Sequence, residues 1–120
     1  MSSFKNIIQK IGEIEQVKGI WLLKEGETEE SLQVPLDIET KEKLMNLLKK
    51  CIVYIKEMNV GICGYISQYD YLFFKKIEKG TWLVVWANQE YPLSLLKMEV
   101  EVLLSEQRQE KRFFKKFKLW

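Results

Sequence analysis

The chain has 120 residues, 47% of them hydrophobic and 30% charged, with a net charge of +2; this fits one globular domain with one core and excludes a disordered chain. It contains no histidine, which removes histidine general bases, Ser-His and Cys-His dyads and every His-ligated metal site. The charge is unevenly placed: six basic residues in 108–120 stand against Glu110, a balance of +5, so the first 107 residues sum to −3.

In chain order, Ser3 is a candidate cap for a first helix with Phe4, Ile7, Ile8, Ile11 and Ile14 at helical spacing, ending near Gly12–Gln16. VKGIWLLKE (17–25) is apolar on consecutive positions from Ile20 to Leu23, as in a central strand covered on both faces. Gly26 supplies a tight turn. The polar ETEESLQVP (27–35), closed by Pro35, reads as an edge strand pairing back on the first. Asp37 or Thr40 then caps a long helix over 37–58, stopped by Asn59 and Gly61. VGICGYIS (60–67) and YDYLFFKKIEKG (69–80) are two further strands. TWLVVWAN (81–88) is again apolar on both faces and is the second central strand. Pro92 fits the first position of a last helix, with Leu93, Leu96, Val100, Leu103 and Leu104 as its buried stripe. Leu95, Met98 and Val102 leave it a second, weaker apolar face.

The long helix is the most distinctive element. Leu44, Leu47, Leu48, Cys51, Ile55 and Met58 form one stripe, and Ile38, Met45 and Ile52 extend it sideways. The apolar arc spans roughly 200°, against the ~100° of an ordinary surface helix. Such a helix needs cover on two sides, and in so short a chain a second copy is the expected source of the second cover. Ile38, Met45 and Ile52 are therefore candidate dimer-interface residues.

The two doubly apolar strands are expected to be neighbours, with the hairpins extending outward. This predicts an α/β (α+β) domain: a five-stranded antiparallel sheet of order 2-1-5-4-3. The long helix lies on one face and the two terminal helices on the other. The domain is expected over 1–107, followed at 108–120 by a basic aromatic tail or helix extension.

With these elements in place, the chain resembles the roadblock (dynein light chain) family of the type that accompanies GTPases in bacteria and archaea, a relative of longin and profilin-like domains, over about residues 4–106. The resemblance rests on FKNIIQKIGEI, the hairpin VKGIWLLKEGETEESLQVP, the helix at 37–58 and TWLVVWANQEYPLSLLKMEVEVLL. Val17, Gly19 and Ile20 match the family's valine-glycine-hydrophobic strand, Glu25 and Gly26 its turn, and Asn88 the passage towards Leu93 and Leu96. The second strand departs from the pattern: Glu27-Thr28-Glu29-Glu30 stand where small apolar residues are usual. The resemblance implies a non-catalytic dimer whose long helices pack together and whose third strands join two sheets, placing Val60 and Ile62 at the interface. It also implies a platform for a small Ras-like GTPase whose nucleotide cycle the dimer modulates.

Catalytic signals are weak. Glu29-Glu30 and Glu99-Glu101 read as solvated surface, and Gly61 and Gly64 lie inside a strand and not in a phosphate loop. No enzyme, cofactor, metal or nucleic-acid partner is expected. Cys51 and Cys63 fall among apolar residues and read as reduced core thiols, with a metal half-site shared between two copies as the lesser alternative. MSSFKNIIQK lacks a signal-peptide core, and no apolar run approaches the ~20 residues of a membrane span, so a cytoplasmic protein is expected. In the tail, Phe113, Phe117 and Trp120 fall at i, i+4 and i+7, with Phe114 beside them and Lys115 and Lys116 among the flanking bases. Three readings are open for them: extra core, a docking arm for a partner, or contact with an anionic membrane surface. The alternative to a GTPase regulator is a longin- or profilin-like adaptor tethered to a membrane through this tail.

Overall fold

The computed structural model describes residues 4–57, 62–66 and 68–118; for 62–66 and 108–118 the description covers the backbone alone. The order of elements is α1 (Lys5–Gly12), β1 (Val17–Lys24), β2 (Glu27–Leu32), α2 (Ile38–Glu57), β3 (Ile62–Ile66), β4 (Asp70–Glu78), β5 (Thr81–Asn88) and α3 (Leu93–Lys118). The candidate cap Ser3 lies outside the described residues, and Phe4 takes the N-cap position of α1.

The five strands form one sheet in the order β2-β1-β5-β4-β3, antiparallel throughout. Gly26 and Gly80 adopt φ of +77° in the two tight hairpin turns, a conformation open to glycine because it lacks Cβ. β1 and β5 are central and buried almost along their length, because alternate residues enter two different cores. On one face Ile20, Leu22, Tyr71, Phe73, Leu83 and Val85 meet Ile7 and Ile11 of α1 and Leu96, Val100 and Leu104 of α3. On the other face Trp21, Leu23, Leu72, Phe74, Trp82 and Val84 meet Leu48, Ile52 and Ile55 of α2. The sheet is thus the middle of three layers.

Gly19 sits at a register shift in β1, and packing explains it. A Cβ there would come within 2.8 Å of the Trp21 ring and 3.0 Å of Leu32. The bare backbone lets the Trp21 indole lie back over it, where it stacks on Trp86 with centroids 6.4 Å apart. Lys18 closes the same end of the sheet. Its Nζ lies 5.4 Å from the centroid of the Trp86 ring and donates to Asp70 Oδ1 at 2.8 Å, while Trp86 Nε1 donates to Asp70 Oδ2 at 3.1 Å. One ion pair therefore ties β1 to β4 across β5.

Candidate interaction surfaces

α2 begins on a side-chain cap: Thr40 N–H donates to Asp37 Oδ1 at 2.8 Å, so Asp37, and not Thr40, starts the helix. The hydrogen bonds from Thr40 hold the Asp37 carboxyl below the usual carboxylate range. Glu30 of β2 anchors the same end of the helix to the sheet. It accepts from Trp21 Nε1 at 3.2 Å and pairs with Lys41 of α2. The acidic second strand thus supplies a bridge between sheet and helix.

The rotation of α2 decides what it exposes. Leu48, Ile52 and Ile55 are its buried residues, and Leu44, Met45, Leu47 and Cys51 are only partly covered. At 100° per residue, the buried line is turned by about 60° from the stripe expected through Leu44, Leu47, Leu48, Cys51, Ile55 and Met58. Two apolar flanks remain outside. Ile38 is 80% exposed and Val53 56% on one, and Tyr54 is 69% exposed on the other. A shallow depression of about 600 Å³ runs along the first flank, lined by Ile38, Lys41, Glu42, Met45, Asn46 and Lys49.

The expected interface residues therefore separate. Ile38 and Met45 share the outward depression. Ile52 does not: at 9% exposure it belongs to the intramolecular core, because the rotation of α2 carries it under the helix, and it has little surface left for a second copy. Val60 lies outside the described residues. Ile62 lies in β3, whose outer edge carries no strand partner among the described residues, and its side chain is outside the description. Val53 and Tyr54 were missed by the arc; their signal was two more apolar side chains directly after Ile52. Of the tail residues, Phe113, Phe114, Lys115, Lys116 and Phe117 lie on the helical backbone of α3, with side chains outside the description, and Trp120 lies outside the described residues.

Among the described residues no cluster of three carboxylates or thiols is placed to hold a metal ion. No described helix is long and apolar enough to cross a membrane.

No family model matches the sequence, and no curated protein matches it either. The architecture does match solved structures. A Roadblock/LC7 domain from Streptomyces avermitilis aligns with a TM-score of 0.55 at 17% identity, covering 89% of this chain and 92% of that one. The chain has the roadblock fold. MglC from Myxococcus xanthus shares this roadblock architecture with a TM-score of 0.64 at 14% identity, over 91% of this chain and 99% of that one. Myxococcus xanthus MglB follows with 0.59 at 14% identity, over 92% and 90%. At such identities the shared property is the fold, and it is the fold that the sequence resemblance implied.

Proposed function

We propose that this protein is a non-catalytic, dimeric roadblock scaffold that regulates a small Ras-like GTPase. The observation that carries the dimer is the outward side of α2. A 20-residue helix is about 30 Å long, and here it leaves Ile38, Val53 and Tyr54 uncovered on either side of its sheet-facing line. Apolar patches of this kind on a soluble domain mark interaction sites. Packing against the same helix of a second copy covers them, and the open edge of β3 lets the two sheets join beside it. A similar fold occurs in an MglB structure with a tetrameric arrangement, at 10% identity and a TM-score of 0.61, which supports self-association as a use of this architecture. The GTPase role rests on the roadblock resemblance, and function attached to a fold in this way is an analogy that needs its own test.

That test has two arms. Sedimentation of the full chain should give a dimer, and Ile38→Asp combined with Val53→Asp should give a folded monomer; a dimer unchanged by this pair overturns the α2 interface. Ile52→Asp is unsuited, because an unpaired carboxylate in the core unfolds the domain. Pull-down of small Ras-like GTPases loaded with GDP or a GTP analogue should show nucleotide-dependent capture. No capture in either state removes the regulatory reading.

A further inference from the structure

The outward flank of α2 carries charges as well as apolar side chains. At 100° per residue, Ile38, Glu42, Met45, Lys49 and Val53 fall within an arc of about 80°. Along this line the order is apolar, acidic, apolar, basic, apolar. Ile38 and Val53, its two ends, are 80% and 56% exposed, and Glu42, Met45 and Lys49 line the depression between them. The neighbouring charges are satisfied within the chain: Lys41 pairs with Glu30, and Lys43 with Glu39 at 3.4 Å. Glu42 and Lys49 have no ion pair among the described residues. No opposite charge stands three or four residues from either along the helix, the spacing at which helical side chains meet.

This line is complementary to itself when reversed. Consider two copies of α2 side by side and antiparallel, with the two-fold axis level with the Met45–Asn46 peptide. Ile38 then stands level with Val53 of the second copy, about 11 Å along the helix from the axis. Glu42 stands level with Lys49 of the second copy, about 5 Å from the axis. One register satisfies both pairs, and the two-fold axis repeats each of them. A parallel pair in register sets Glu42 against Glu42 and Lys49 against Lys49, so like charges meet. The apolar positions fit either direction, because Met45 stands near the middle between Ile38 and Val53. The two charges therefore decide direction and register, as flanking charges do between paired helices.

We infer that Glu42 and Lys49 are the specificity residues of the α2 flank, selecting as its occupant a second copy of this chain in antiparallel register. The inference rests on the dimer proposed above, and its test separates the two. Dissociation constants of the full chain and its variants are measured by sedimentation equilibrium at low salt. Glu42→Lys and Lys49→Glu, each alone, place like charges at both symmetric contacts. Each should weaken the dimer at least about tenfold. An equimolar mixture of the two variants restores opposite charges at both contacts and should pair nearly as tightly as the wild type. That recovery should fade as salt is raised. Both side chains are exposed, so circular dichroism should be unchanged in either variant. A wild-type dimer that neither reversal weakens, or a mixture no tighter than the variants alone, overturns the inference and leaves the dimer standing. A monomeric wild type overturns both.

Discussion

Tyr71 joins the sheet to the turn that precedes α3. Its hydroxyl donates to the Tyr91 carbonyl at 2.7 Å, and burial, with a smaller contribution from Tyr91, pushes its phenol up to about 12 from 10.0. The folded protein thus holds this proton more tightly than the unfolded chain does. The stability it brings is fully present below pH 10 and is lost as pH rises through the folded value. Tyr71→Phe should lower stability at neutral pH by about 1 kcal/mol, the usual worth of such a bond. It should also remove part of the alkaline decline, so urea unfolding of the two proteins should converge between about pH 10 and 12. A variant whose deficit persists undiminished at alkaline pH would show that the phenol's ionisation is not coupled to folding. At this scale the sequence was only partly legible. Gly19 was visible as a strand glycine, but its reason, the Trp21 ring folded over it, needed the register that brings Trp86 opposite Gly19. The pairing of Lys18 with Asp70 spans 52 residues and no local pattern announces it.

α2 shows what an element's sequence can and cannot reveal. The cap was visible in the Asp that precedes a helical run, and its worth can be checked through pH. The hydrogen bonds from Thr40 depress the Asp37 carboxyl below its ordinary value of 3.8. Its contribution is therefore present above that value and is lost as pH falls through the lowered one. Asp37→Ala should lower the thermal midpoint at neutral pH, and the difference should shrink in acid once the wild-type carboxyl is protonated. An equal deficit at acid and neutral pH would mean that the charge on the cap plays no part. The breadth of the apolar arc was equally legible, but of the residues that widen it Ile38 is strongly exposed and Ile52 is buried, while Val53 and Tyr54, also exposed, lay outside the arc. The rotation of the helix was not legible. Leu44, Leu47, Leu48 and Ile52 are all apolar, so periodicity alone offers several centres for the buried line. The choice is made by large partners across the gap, Trp21, Phe74 and Trp82, and by the tether from Glu30 to Lys41. That tether gives one residue of the acidic second strand, Glu30, a structural role at the start of α2.

For the whole molecule, strand order followed from a single consideration. Ile20 to Leu23 and Trp82 to Val85 are apolar on both faces, so both strands had to be covered on two sides, and placing them together at the centre leaves only one arrangement of the two hairpins. Layering followed as well, since each face of the sheet needs its own helices. Among the described residues nothing covers Ile38, Val53 and Tyr54 on the outer side of α2, and in the proposed dimer this makes folding and assembly one equilibrium. A partner that binds only the folded state raises the midpoint by mass action. Two chains of this size together carry an unfolding entropy near 0.5 kcal/mol/K. A tenfold rise in protein concentration should therefore raise the thermal midpoint by about 3 °C. The chain carrying Ile38→Asp and Val53→Asp should melt at a temperature independent of concentration. Calorimetry across two decades of concentration distinguishes the cases. A wild-type midpoint that does not move over that range would show that α2 keeps its apolar flanks in water, and that the fold is complete in a single copy.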